Sequence, residues 1–236
     1  HRDLHSFPTR RSPISIVIMN ADAAGRSVPD LQYSTYFVKK KPIYPMAVAT
    51  EFGETILVKE VVDDFRAESI ARAIAVVSDN MVGIADHPMS GRDYKESVIP
   101  EAMTYAMQIG KILRETGAAG GDGYAVAENI AKENKGRVMF RGTITEAPWE
   151  TRDGYNYGEI HLTGREEFKG EKYRIWFKNE NIISFRNGAV DVTSPDLICM
   201  IDKNGIPVNT PNFEKEQELT RLWRSEERRV GKECRS

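Results

Sequence analysis

After Lys135 the sequence settles into a succession of short apolar or alternating runs, at 137–145, 157–162, 173–177, 181–186 and 197–202. Gly154, Gly164, Gly170, Gly188 and Gly205 separate or follow them. Short strands with regular turn signals predict a mainly-β unit, a sandwich or a barrel. The residues before 136 read differently. A continuous apolar run, Ser15-Ile16-Val17-Ile18-Met19, predicts a buried strand of a parallel or mixed sheet. Two more strands are expected at 42–50 and 55–60 around Gly53. Asp63 or Asp64 can cap a helix reaching about Ser78, with Phe65, Ile70, Ile74 and Val77 at near-helical spacing. Gly83 and Pro88-Met89-Ser90-Gly91 mark a loop. Pro100 suits a first helical turn, followed by a stripe of Ala102, Tyr105, Ala106, Ile109, Ile112 and Leu113. A shorter helix is expected over 123–134, closed by Gly136. The fold class expected is therefore α+β: an α/β layered domain over 15–135, then a β-rich, barrel-like domain over 136–223.

Both ends read as foreign. Residues 1–14 and 224–236 resemble translated sequencing-library adapter, the alternative being a native basic tail. Set aside as non-native, they remove eight basic and four acidic residues and move the net charge from −2 to −6. One cysteine, Cys199, and two histidines, His87 and His161, then remain. A Cys/His zinc site is not expected from so few ligands, nor is a disulfide framework. No apolar run approaches the roughly 20 residues that span a bilayer, and no basic excess marks a nucleic-acid binder. With 40% hydrophobic and 29% charged residues, the chain belongs with ordinary globular sequences rather than disordered ones. Unpaired cysteines fit a reducing cytoplasm. The sequence starts inside a strand and reads as a fragment.

The segment richest in chemistry is Asn20-Ala21-Asp22-Ala23-Ala24-Gly25-Arg26. A strand delivers Asp22 to its carboxyl end, where open α/β sheets bind ligands. Small residues let backbone amides approach a ligand, and Arg26 can hold a carboxylate or imide oxygen through paired hydrogen bonds. Asp22 fits a general base, a water-orienting group or the partner of Arg26; the alternative is an Asp–Arg pair tying a loop to the sheet edge. Lys178-Asn179-Glu180-Asn181 lies between two apolar strands. Its residue types favour a hairpin turn, and the alternative places Glu180 and Asn181 in an interdomain cleft. His87 is expected to be a solvated loop residue, His161 a packing or surface residue, Cys199 a buried hydrophobe and Asp196 structural. Gly120-Gly121-Asp122-Gly123 lacks the lysine and Ser/Thr of a phosphate-binding loop. No cofactor is expected; a divalent metal held by the carboxylates of Asp22 or Glu180 stays open.

The run Asn20 to Gln32 resembles a signature of the S-methyl thiohydantoin desulfurase family, approximately Asp-x-Asp-x-x-Gly-Arg-Ala-x-Pro-Glu-Leu-Gln. Asp22, Gly25, Arg26, Pro29, Leu31 and Gln32 match. Asn20 stands for the first Asp, Ser27 for the Ala and Asp30 for the Glu. Three further stretches follow in order: Met89-Ser90-Gly91 with Ile109-Gly110, then Asn179-Glu180-Asn181, then Pro195-Asp196-Leu197-Ile198. The resemblance covers 15–222. It implies an N-terminal α/β domain and a C-terminal barrel-like domain. It also implies that about a hundred N-terminal residues and the end of the β-domain lie beyond this chain, so the fragment is expected to be inactive alone.

The implied activity is hydrolytic removal of a sulfur substituent from a thiohydantoin ring. The implied catalytic residues are Asp22 and Arg26, with Asn20, Gly25, Glu180 and Asn181 as substrate contacts. Loop amides would help Arg26 steady charge on the ring. The implied substrate is a small cyclic imide. Genes of this family often sit beside hydantoinase/oxoprolinase genes, which implies a subunit of that type as a partner. Two other readings stay open, a non-catalytic partner subunit of such an enzyme and a small-molecule-binding module. Self-association is left open, and neither nucleic acid nor membrane is expected.

Overall fold

The structure, a computed structural model, describes residues 19–210, 212–213 and 215–224, with backbone alone from 221. Of the strand expected over 15–19, all but Met19 lies outside the described residues. Strand β1 (Ala21–Asp22) is followed by a single-turn helix α1 (Thr35–Val38), capped by Ser34, whose hydroxyl accepts from the Phe37 amide at 3.2 Å. Strands β2 (Met46–Thr50) and β3 (Thr55–Val58) form a hairpin. Gly53 turns it at φ +101°, a conformation that suits glycine. Helix α2 (Asp64–Val76) starts as expected, with Asp63 accepting from the Arg66 amide at 2.8 Å.

The buried stripe of α2 is only partly the expected one: Ile74 packs on the core and Ile70 is half-buried, but the rest of the stripe differs. Its inward face carries Asp64, Ala67, Glu68 and Ala71, whereas Phe65 and Val77 are 55% and 79% exposed. Two alanines let the helix approach the sheet closely, so Ala67 and Ala71 pack on the fully buried Ile43, Met46 and Val48. Burying a side chain the size of Met46 or Val48 stabilises by roughly 1.5–3 kcal/mol. Gly83, expected in a loop, lies in strand β4 (Val82–Ala85), which pairs antiparallel with β2.

Helix α3 (Gly91–Ser97), capped by Ser90, leads into β5 (Ile99–Pro100). That strand pairs antiparallel with β1, Ala21 opposite Pro100 and Asp22 opposite Ile99. Pro100 is thus a strand residue, and helix α4 runs over Ala102–Ala118. Its first residue is set by Asn20. The Asn20 carbonyl oxygen accepts from the Thr104 amide at 2.9 Å, its amide donates to the Thr104 hydroxyl at 2.8 Å, and its backbone oxygen accepts from Glu101. Asn20 therefore caps a helix remote in sequence, whose own N-cap residue Glu101 provides no side-chain cap. Helix α5 (Gly123–Glu133) is present and closed at Gly136, as expected, and Asp122 caps its start, accepting from the Ala125 amide at 2.9 Å.

The β-rich part contains β6 (Arg137–Glu146), β7 (Trp149–Arg152), β8 (Tyr155–Gly164), a 3-10 turn at Glu166–Phe168, β9 (Lys172–Lys178), β10 (Glu180–Arg186), β11 (Ala189–Thr193), β12 (Leu197–Asp202) and β13 (Glu218–Arg224). The five expected strands are present. The sheet adds β7, β11 and β13, the first two short and largely exposed. Its order is β11-β10-β9-β8-β6-β13-β12, with β7 folded onto β8, and all pairs are antiparallel. The sheet curls into a half-barrel around Phe140, Ile144, Ile160, Leu162, Tyr173, Ile175 and Phe177. Helix α5 packs on it through Val126, Ala127 and Ala131 against Ile201. Among the described residues no helix is long and apolar enough to cross a membrane.

Candidate functional site

The motif turn, α1, the start of α2 and strands β9 and β10 enclose an open cleft of about 850 Å³. Ala23, Ala24, Arg26 and Gln32 reach it from the motif, Phe37 and Phe65 from the two helices, and Trp176, Lys178 and Ile182 from the sheet. The Gln32 side-chain oxygen is buried without a hydrogen-bond partner among the described residues.

Asp22 forms its own turn. One carboxylate oxygen, Oδ1, accepts from the amides of Ala24 at 3.0 Å and Gly25 at 2.5 Å. Gly25 takes φ +68°, which completes the turn. The amides expected to approach a ligand are therefore committed to Asp22. Arg26 does not pair with Asp22. Its guanidinium donates instead to the carbonyl oxygens of Ser27 at 3.1 Å, Pro195 at 3.0 Å and Asp196 at 3.3 Å. The pairing signal in sequence was proximity, but the tight turn drives the two side chains apart.

Glu180, expected either at a turn or in a cleft, begins β10 directly after the one-residue connection Asn179, which takes φ +55°. It is half-buried. Burial pushes its carboxyl above the usual carboxylate range, and the Arg26 guanidinium partly offsets that. Asn181 points the other way. It is buried, donates to the Ile198 carbonyl at 2.9 Å, and leaves Oδ1 without a partner among the described residues. It acts as a strut between β10 and β12. Of the expected site residues Arg26 alone lines the cleft; Asn20, Asp22, Gly25, Glu180 and Asn181 are not among its lining residues. No hydrogen bond or ion pair joins Arg26 to Glu180 among the described residues, and Asn20 and Asn181 are committed to structural bonds.

Two polar clusters beside the site join residues that the sequence does not connect. Asp30, at 5% exposure, accepts from the Tyr155 hydroxyl and pairs with Lys178 at 3.3 Å. Arg72 donates to Glu68 at 2.6 Å, to the Gly154 carbonyl and to the Pro29 carbonyl, both at 2.9 Å, and stacks 3.7 Å over the Tyr155 ring. Glu68 also accepts from the Leu31 amide at 2.9 Å. This network joins the motif, α2 and β8–β9. Burial and the hydrogen bond to Asp30 hold the Tyr155 phenol well above its ordinary value. The Glu68/Arg72 spacing, one helical turn apart, was the available signal.

The second cluster corrects His87. It is buried, not solvated, at φ +47°, with Nδ1 at 2.9 Å from Asp86, Nε2 at 3.4 Å from Asp64 and its ring against Tyr36. Burial, with the neighbouring Tyr94, Asp86 and Asp22, pushes the Tyr36 phenol up to about 12. His161 sits in a half-exposed group with Glu159 at 2.9 Å, and Cys199 is half-buried beside the α5 cluster. Among the described residues, no three His, Cys, Asp or Glu side chains gather to hold a metal ion.

No curated protein matches the chain. The fold is similar to the crystal structure of a protein from Chromobacterium violaceum, with a TM-score of 0.62 and 17% identity, over 86% of this chain and 57% of that one. The chain therefore spans little more than half the length of that protein. Residues 12–60 match the model of the S-Me-THD-like N-terminal domain, and 62–223 that of the S-Me-THD-like C-terminal domain. The second of these alone extends over most of the chain, and the chain accordingly belongs to the S-Me-THD-like family, S-Me-THD standing for S-methyl thiohydantoin desulfurase.

Proposed function

We propose that this chain forms part of a hydrolase that removes a sulfur substituent from a thiohydantoin or related cyclic imide ring. The observation that carries the reading is that Arg26, from the family motif, lines a cleft large enough for a small ligand. Water adds to the ring carbon that bears sulfur, the carbon–sulfur bond breaks, and the sulfur leaves as a thiol with one proton from that water. Asp22 is suited to orient the water or take its proton. Two amides fix Oδ1, and Oδ2 carries no hydrogen bond among the described residues. Arg26 steadies charge developing on the ring. We assign to Glu180, whose carboxyl burial raises above the usual range, the proton given to the departing sulfur.

A ligand-sized cleft beside the motif favours small-molecule chemistry over a purely protein-binding surface. The test is thiol release from S-methyl thiohydantoins by a longer gene product that carries this chain. Release of one thiol per ring consumed is the expected result. Tight ring binding without release would make the protein a binding module, and neither binding nor release would leave the partner-subunit reading.

A further inference from the structure

The cleft is uneven in its chemistry. Its charged lining residues are Arg26 and Lys178, and Lys178 is engaged by Asp30. Much of the remaining wall is apolar and incompletely packed. Phe37 and Phe65 meet edge to face at 5.7 Å, yet they stay 38% and 55% exposed. Packing within the chain does not account for Phe65, because α2 buries its Ala67 and Ala71 side against the sheet. Trp176 and Ile182 line the same cleft from β9 and β10. Its volume, about 850 Å³, lies toward the upper end of the roughly 300–1,000 Å³ that accept drug-sized ligands. A bare five-membered ring would leave most of it filled with water against aromatic surface.

Resting on the reading of this cleft as the ring site, we infer that the substrate ring carries a bulky apolar substituent, aryl or branched alkyl. That group lodges between Phe37 and Phe65 on the helical side and Trp176 and Ile182 on the sheet side, while Arg26 takes the polar ring. Burying a phenyl-sized group there tightens binding by roughly tenfold to a hundredfold over the unsubstituted ring.

Titration calorimetry with hydantoin and its 5-methyl, 5-isobutyl, 5-benzyl and 5-carboxymethyl derivatives tests this, because binding is read without turnover. The expected result is a Kd that falls with apolar bulk, with 5-carboxymethylhydantoin no better than hydantoin. Phe65→Ser should shrink the gap between the benzyl and unsubstituted rings at least severalfold. A flat series, or preference for the carboxymethyl group, overturns the inference and leaves the thiol-release reading standing. An apolar preference without thiol release keeps the inference and removes the hydrolase. Failure of every hydantoin to bind overturns both.

Discussion

Arg26 donates to the Pro195 carbonyl at 3.0 Å, so a residue of the N-terminal motif is bolted to the turn before β12, 169 positions away in sequence. The guanidinium charge also opposes the upward shift that burial gives the Glu180 carboxyl. One side chain thus fixes the motif turn against the sheet and supplies a positive charge at the cleft. Arg26→Ala should cost about 1–3 kcal/mol of stability, the usual worth of hydrogen bonds to a charged group. Urea unfolding reads that loss. Arg26→Lys should recover only part of it, since a lysine cannot present the forked donors.

The interdomain network gives a second expectation. Tyr155→Phe removes one hydrogen bond to the buried Asp30 carboxylate and should destabilise by about 1–3 kcal/mol. Lys178→Met removes the ion pair with the same carboxylate. Because both act on Asp30, a double-mutant cycle should show coupling well above the scatter of independent sites. Strict additivity would contradict the shared role.

Much of this architecture was legible from residue types whose effects are local. Asp63 announces its helix, Gly136 the end of another, Gly53 its hairpin, and the glycine-spaced runs after Lys135 the sheet. What could not be read depends on partners distant in sequence. Asn20 looked like a motif residue but caps α4, reaching Thr104. Arg26 looked like the partner of Asp22 but bonds across to Pro195 and Asp196. His87 looked solvated because nothing in its neighbourhood shows that Tyr36 and Asp64 close over it. Strand β7, Trp149-Glu150-Thr151-Arg152, is exposed and lacks the apolar alternation that marks a half-buried strand, and β11 carries that alternation only over Val190-Asp191-Val192-Thr193.

Asn20 separates capping from ligand contact. Asn20→Ala should cost about 1 kcal/mol and speed hydrogen exchange in the first turn of α4. Ligand affinity should stay unchanged. Loss of affinity with unchanged exchange would return Asn20 to the substrate site.

The carboxyls of Glu180 and Asp64 both sit above their ordinary values, chiefly through burial, opposed by Arg26 in one case and His87 in the other. The folded state therefore binds these protons more tightly than the unfolded chain. Stability should fall as pH rises from the ordinary carboxylate range through the raised native values. Asp93, held low by Lys41 and Ser90, contributes in the opposite sense, losing its stabilisation on acidification. Glu180→Gln should flatten the fall and stabilise the protein above that window. Unfolding free energies measured across pH check both signs.

Gly123 offers a steric test. A Cβ there would come within 1.9 Å of the Asp202 carbonyl oxygen, where α5 meets β12. Gly123→Ala should destabilise by about 1–3 kcal/mol despite the better helix propensity of alanine. A neutral or stabilising effect in thermal melts would show that this junction is looser than described.

The most direct measurement is the initial rate of thiol release from an S-methyl thiohydantoin by a longer gene product that carries this chain, comparing the wild type with Asp22→Asn, with circular dichroism confirming that both are folded. An Asn can keep the turn by accepting from Ala24 and Gly25 but cannot take a proton from water. Turnover by the wild type and a loss of at least a hundredfold in the variant, with ring binding retained, is the predicted result. Equal rates in the two proteins would contradict it.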